Sequence, residues 1–299
     1  VAGVHIVTLR DPSAPVVAQY APSAGMIGIS LTDSGVELLG QRAGLDAYLA
    51  AGKTMGIPIL YPWANRLGGR SYTVRGEEIT LAADAFGVRT DPNGLPLHGL
   101  LAGYPSWRVM TESANELTAE LDFAADSALL ASFPFPHLLV VRVTLAERSL
   151  TVRSTVSAIG DKPVPLCFGF HPYLQVPGVP RAEWIIETPR LRHLVLDDQG
   201  LSTGEAEEHP PLHERLGHKA FDDGYDEVPE GAVFAVSGGR RRIEVHFEQG
   251  YPAAQIFAPP GEDVVCFEPM AAPTDALRRG GYRCAHPGHP AVAVFSLRV

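Results

Sequence analysis

Apolar and polar residues alternate with a period of two along most of the chain. Thr73-Val74-Arg75 running on to Ile79-Thr80-Leu81, Leu117 to Phe123, and Leu150 to Val156 all read as half-buried strands. Val233-Phe234-Ala235-Val236 and Arg242 to Phe247 flank Gly238-Gly239 and predict a hairpin, and Ala291 to Leu297 reads as a further strand. Helical spacing is scarce. Leu45, Tyr48 and Leu49 stand at i, i+3 and i+4 and predict one short helix, but no amphipathic stretch reaches the roughly twelve residues that sustain a longer one. Strands recurring every 8–12 residues or so predict antiparallel sheets, stacked as a sandwich or closed as a barrel. The expected architecture is all-β, one domain over residues 1–299 with few short helices. The polar stretch from Asp197 to Pro229 is expected to be a loop-rich insertion between strands.

Composition narrows the function. Thirty Gly and 26 Pro fit a chain of many turns. A formal charge of −10 argues against nucleic acid, which needs clustered Lys and Arg. The run Arg240-Arg241-Arg242 sits beside Gly238-Gly239 and is expected to be a solvated hairpin face. The longest apolar stretch, Phe133 to Leu145, is broken by His137 and Arg142 and is too short to span a bilayer, so no membrane partner is expected. The first segment reaches Arg10 and Asp11 without an apolar leader region. Cys167, Cys266 and Cys284 are odd in number and contain no CxxC pair, which predicts three free, buried thiols and a reducing cytoplasmic setting.

Four segments place one ionisable residue among aromatic, Pro or Gly neighbours, as a cleft requires: Tyr61 to Leu67, Leu97-His98-Gly99, Phe168 to Tyr173, and Cys266 to Met270. Glu268 follows the apolar run Val264 to Phe267 and precedes Pro269. Burial there raises its pKa toward that of a general base, unless an arginine such as Arg66 holds it as a structural ion pair; both readings stay open. His171, between Phe170 and Pro172, suits a proton donor, a hydroxyl ligand or a core position, and His98 and Arg66 face the same choice. Positions 98, 171 and 268 contain no local ligand pair, so no metal is expected. Neither a glycine-rich phosphate loop nor a GxSxG nucleophile turn is present. Trp63, Trp107 and Tyr173 are candidates for an aromatic platform under a sugar, with Trp107 assigned to the core and Tyr173 to the cleft.

Taken in order, Tyr-Pro-Trp-Ala-Asn-Arg-Leu at 61–67, Leu-His-Gly at 97–99, His-Pro-Tyr at 171–173, Phe-Asp-Asp-Gly-Tyr at 221–225 and Glu-Pro-Met at 268–270 resemble the motifs of the aldose 1-epimerase (galactose mutarotase) family, from about Val17 onward. The resemblance implies an antiparallel β-supersandwich and a cofactor-free enzyme that interconverts the anomers of a free aldohexose, glucose or galactose in type, as a monomer or weak homodimer. It implies that Glu268 is the general base on the anomeric hydroxyl and His171 the general acid on the ring oxygen. Arg66, His98 and Asp222 would hold the sugar, with Asp223 a competing assignment for the last, and Asn65, Tyr173 and Gln255 would line the same cleft. Leu100, Gln175 and Asp275 depart from residues frequent in the family. Three other readings are carried forward: a hexose-6-phosphate 1-epimerase using Arg70, Arg75 and Arg89, a non-catalytic carbohydrate-binding protein, and a glycoside hydrolase pairing Asp222 with Glu268.

Overall fold

The computed structural model describes residues 3–299 and gathers the alternating segments into two large antiparallel sheets. The nine-stranded sheet runs, in spatial order, Arg108–Glu112, Glu116–Asp122, His137–Ala146, Ser149–Ala158, Ala291–Arg298, Arg241–Gln249, Ala232–Gly238, Ile185–Thr188 and Leu212–Arg215. The eight-stranded sheet runs Ser202–His209, Leu191–Leu196, Phe221–Asp226, Ala253–Ala258, Val265–Met270, Gly169–Phe170 and Ile59–Leu60, with Tyr173–Leu174 also pairing with Val265–Met270. Val7–Arg10, Val16–Ala21, Ile27–Asp33 and Val36–Glu37 form a separate four-stranded sheet.

Each large sheet turns one apolar face inward, as alternation requires. His137–Ala146 shows the pattern plainly, with Leu139, Val141, Val143 and Leu145 buried between more exposed neighbours. The two sheets meet through ring contacts: Phe234 to Phe267 at 5.6 Å between centroids and Phe170 to Phe295 at 4.9 Å. One contiguous apolar core extends from Val7 to Leu297.

The hairpin expected around Gly238-Gly239 forms, and the alternating run from Thr73 to Leu81, expected as a strand, turns back on itself as a second hairpin. Ser71–Val74 pairs with Glu77–Thr80 across Arg75 and Gly76, both at positive φ, the twist that a two-residue turn between strands demands. Ala232–Gly238 pairs with Arg241–Gln249 across Gly239 and Arg240, of which Gly239 alone is at positive φ. The arginines after that turn are occupied at the surface: Arg241 lies 3.4 Å from Asp33, and Arg242 binds Glu187 and Glu244. The expected helix appears as Gly44–Ala51, which buries Tyr48, and the other two α-helices among the described residues, Ser127–Ser132 and Ala276–Arg279, are shorter.

Two expectations are corrected. The polar stretch after Asp197 is not an irregular insertion: it supplies the strands Ser202–His209, Leu212–Arg215 and Phe221–Asp226. The first two are sheet edges, where both faces meet water and alternation fades, while the charged residues discourage pairing with another chain. Cys284 is half-buried rather than core, unlike Cys167 and Cys266.

Phe267 joins the sheets, so Phe267→Ala is expected to cost about 3–5 kcal/mol through lost contacts and a residual cavity. A chemical-denaturation midpoint within error of wild type would show that the sheets do not depend on this contact.

Candidate active site

The strand Val265–Met270 is buried on both faces. Its alternation divides it: Val265 and Phe267 join the main core, whereas Cys266 and Met270 belong to small clusters on the opposite face, the one that carries Glu268. Strand register extends that face. Gln255 is paired with Glu268, Phe257 with Cys266, and Asp222 with Phe257, so these side chains project from the same side of the sheet.

Two loops complete the wall. Asn65 and His98 both have left-handed backbones, at φ 54° and 61°, and the His98 amide donates to the Asn65 carbonyl at 2.9 Å. Such strain persists only where the surroundings fix it. Gly99 follows at φ 71°, where a Cβ would press into the backbone of Tyr61. Behind Arg66, Asp275 donates its own amide to the Arg66 carbonyl at 3.1 Å and accepts the Gly68 amide at 2.7 Å through Oδ1.

Together these elements enclose a cleft of about 910 Å³, lined by Arg42, Lys53, Thr54, Asn65, Arg66, His98, His171, Tyr173, Asp222, Gln255, Phe257, Glu262 and Glu268, among others. On its floor, Nε2 of His171 lies 3.2 Å from Oε1 of Glu268, with both side chains at most 5% exposed. Oε2 of Glu268, Nδ1 of His171 and Nδ1 of His98 are buried without a hydrogen-bond partner. The His98 ring stands edge-on to His171 at 5.5 Å, and Phe257 does so at 5.6 Å. Arg66 donates to Asp91 at 2.9 Å and to Asn65 at 3.0 Å and lies 3.7 Å from Asp222, whose Oδ1 accepts from Gln255 at 2.7 Å.

Electrostatics single out the floor. Burial raises the Glu268 carboxyl well above its ordinary range, the Asp222 charge adds to the rise, and Arg66 opposes it. Burial lowers His171 well below its ordinary value, with His98 and Arg42 adding to the fall. Both shifts favour the uncharged forms, a protonated carboxyl and a neutral imidazole. His98 falls to about 3, chiefly through burial and secondarily through Arg66, and is neutral.

Residues 25–290 match the protein family described as Aldose 1-epimerase. The chain belongs to that family. Solved structures agree on the fold. The Slr1438 protein of Synechocystis sp. PCC 6803 aligns with a TM-score of 0.80 at 22% identity, over 99% of this chain and 95% of that one. A galactose mutarotase-like protein from Clostridium acetobutylicum aligns at 0.81 and 15%, over 98% of each chain. A galactose 1-epimerase from Lactobacillus acidophilus NCFM aligns at 0.74 and 13%, over 99% and 98%. In sequence, the chain is 25% identical over 148 residues to the uncharacterized protein YihR of Escherichia coli strain K12. That match spans 48% of this chain and less than half, 44%, of that protein.

In this aldose 1-epimerase family member, all eight side chains expected at the site, Glu268, His171, Arg66, His98, Asp222, Asn65, Tyr173 and Gln255, line one cleft. Arg66 does not hold Glu268: it is bound to Asp91 and Asn65, and the neighbour of Glu268 is His171. Asp223 departs from the cleft and faces His193 at 3.4 Å, because adjacent residues of a strand point to opposite faces. Trp63 and Trp107 are both buried in the core and do not line the cleft, whereas Phe257 and the buried Tyr173 do. Arg70, Arg75 and Arg89 do not line it; Arg70 caps the carbonyls of Leu81, Ala82 and Ala83. Nor do the departures reach it, since Leu100 is core, Gln175 donates to the Glu37 carbonyl at 3.2 Å, and Asp275 sits behind Arg66. Among the described residues, no group of three or more His, Cys, Asp or Glu side chains is placed to hold a metal ion.

Arg42, Thr54, Phe257, Glu262 and Asp91 were not anticipated. Asp91 had a signal: it opens the Asp91-Pro92-Asn93-Gly94 turn, where its Oδ1 accepts the amides of Asn93 and Leu95 and leaves Oδ2 for Arg66. Arg42 and Thr54 flank the short helix and reach the cleft only through the tertiary fold.

A carboxyl that stays protonated only when folded makes stability depend on pH. Below the ordinary glutamate value of 4.5 this group costs nothing, and as pH rises above it the folded state must retain a proton that the unfolded chain releases. Glu268→Gln is therefore expected to melt higher than wild type, by a margin that grows as pH rises from about 4.5 through the neutral range. A margin that is constant across that range would remove the buried, proton-retaining carboxyl from the account.

Proposed function

We propose that this protein is an aldose 1-epimerase acting on a free aldohexose in its pyranose form. The observation that carries the reading is the buried Glu268–His171 pair, 3.2 Å apart on the floor of a polar-walled cleft. Written as carboxylate and imidazolium, that pair contains both agents of anomer exchange.

In this reading Glu268 removes the proton from the anomeric hydroxyl while Nε2–H of His171 is delivered to the ring oxygen. The C1–O1 bond becomes a carbonyl, and the electrons of the ring C–O bond pass to the oxygen that receives the proton. The open-chain aldehyde turns about C1–C2. Reclosure reverses the transfers on the other carbonyl face, returns the proton to His171, and leaves no net change in the enzyme. The chemistry calls for no metal or organic cofactor.

The other polar groups suit positioning. Arg66, fixed by Asp91 and Asn65, has donors directed only where its neighbours permit. Asp222, held by Gln255, offers an acceptor for hydroxyls, and neutral His98 either donates or accepts. Half-buried Phe257 gives an apolar face on which pyranose C–H groups rest. The cleft's two arginines are already engaged, Arg42 by Glu262 and Arg66 by Asp91, so a phosphorylated sugar would have to rely on Lys53. A paired-carboxylate hydrolase is disfavoured because the immediate partner of Glu268 is a histidine.

Polarimetry of freshly dissolved α-D-glucose, α-D-galactose and glucose 6-phosphate tests the reading. Wild type is expected to speed the approach to anomeric equilibrium for a free sugar, and Glu268→Gln and His171→Asn each to lower kcat by about 10²–10⁴. Sugar binding that survives Glu268→Gln, with no acceleration by wild type, would favour a binding protein instead. The pH dependence of kcat/KM is expected to be bell-shaped. Activity falls on the acid side as the pair takes a second proton, and on the alkaline side as it loses its only one. A flat profile would contradict this acid–base pair.

A further inference from the structure

His171 has a neighbour that the acid–base reading does not use. Tyr173 stands two residues further along, and its ring lies on the His171 ring with centroids 4.2 Å apart and planes 9° from parallel. Stacking puts the Tyr173 hydroxyl above the imidazole plane, so Nε2 keeps Glu268 as its partner at 3.2 Å and Tyr173 serves the ring as a wall. The wall is itself held. Its hydroxyl is 2.6 Å from the Thr54 hydroxyl and accepts from Nη1 of Arg42 at 3.1 Å. Both residues belong to the segment 40–56, whose two ends are bound to the Tyr173 backbone: the Gly40 amide donates to the Tyr173 carbonyl at 2.9 Å, and the Tyr173 amide to the Gly56 carbonyl at 2.8 Å.

Arg42 is fixed more tightly than a rim residue needs to be. Its backbone is left-handed at φ 43°, a strain that persists only where the surroundings impose it. Glu262 clamps its guanidinium through Nε at 2.8 Å and Nη2 at 2.9 Å, Nη1 also donates to the Thr54 carbonyl at 3.4 Å, and the group stands 4.9 Å from the Tyr173 ring centre. Four of the five N–H donors are thereby committed, so Arg42 lines the cleft with little left to offer a sugar. Its charge still reaches the floor. The Tyr173 oxygen is 3.1 Å from Nη1 of Arg42 and 3.1 Å from Nε2 of His171, which brings the two nitrogens within roughly 6 Å, close enough for a like charge to oppose protonation. The other groups around the pair do not duplicate this effect. His98 is neutral, burial keeps Tyr173 and Cys266 protonated, and the charges of Arg66 and Asp222 act in opposite senses on Glu268. Arg42 is the cation on the His171 side, where it deepens the fall that burial begins. A stronger acid gives its proton more readily to a weakly basic ring oxygen.

We propose that Arg42 is a positioning residue for the general acid: clamped by Glu262, it locks the tyrosine ring on which His171 rests and sets a fixed positive charge beside the Glu268–His171 pair, without binding the sugar. The proposal rests on the epimerase reading for its purpose, since only a proton-transferring histidine gains from a tuned affinity. Glu262 acts one step further out, holding the guanidinium in place and partly neutralising it.

The test compares the pH dependence of kcat/KM in Arg42→Gln, Arg42→Lys and Glu262→Gln with wild type. The Arg42 and Glu262 side chains are 27% and 39% exposed, so all three variants are expected to fold. Removing a nearby positive charge raises the proton affinity of the pair. Both limbs of the bell are therefore expected to move to higher pH by about one unit in Arg42→Gln, to stay near wild type in Arg42→Lys, which keeps the charge, and to move to lower pH in Glu262→Gln, which unmasks it. KM is expected to stay within about twofold throughout. A raised KM with unmoved limbs in Arg42→Gln would make Arg42 a sugar contact and overturn the proposal. Limbs that move the same way in Arg42→Gln and Glu262→Gln would overturn it too, because a merely structural loss has no sign. A second readout needs no turnover. In protein labelled with ¹⁵N-histidine, the pH at which the His171 ring nitrogens titrate is expected to rise in Arg42→Gln but not in Arg42→Lys. A midpoint unmoved in Arg42→Gln would overturn the proposal whatever the enzyme does, whereas a wild type that accelerates no sugar would overturn the epimerase reading alone.

Discussion

Everything in the cleft depends on removing one carboxyl and one imidazole from water side by side. Solvation would let Glu268 ionise and His171 titrate near their ordinary values; burial drives both toward neutrality. That state costs stability, and the fold meets the cost by packing Val265 and Phe267 into the main core on the other face of the same strand. A strand buried on both faces thereby carries an ionisable side chain.

The strained loops follow from the same demand. A strand presents side chains only along its own face, so the far wall of the cleft must come from connections whose backbones are bent to fit. Asn65 and His98 occupy left-handed conformations that bulky residues avoid, and they survive because the intervening backbone is pinned through Asp275, Asp91 and the close approach of Gly99 to Tyr61. The division is functional as well as structural. The sheet supplies Glu268, Gln255 and Asp222, while the loops supply the arginine and histidine that face them.

Much of this was legible in the sequence because the information is local. Alternation marks strands, Gly pairs mark turns, and an ionisable residue between aromatics and proline marks a cleft. Choosing Asp222 over Asp223 is different in kind, since it needs the register with Phe257, which no single segment encodes. The same holds for Arg42 and Thr54, whose residue types are ordinary and whose importance comes from meeting Tyr173, more than a hundred positions away. The edge strands after Asp197 were missed for a simpler reason: a strand with water on both faces has no apolar side to display.

The order of strands in the larger sheet has a consequence for how the chain acquires its shape. Ala291–Arg298 lies between Ser149–Ala158 and Arg241–Gln249 and is the sole seam between a block of earlier strands and a block of later ones. A ribosome delivers that seam after both blocks have emerged, so each must wait with an open, unpaired edge until the last strand arrives. Assembly is therefore closed from the inside by a segment of high sequence separation, a slow step during which a nascent chain is most exposed to pairing with its neighbours.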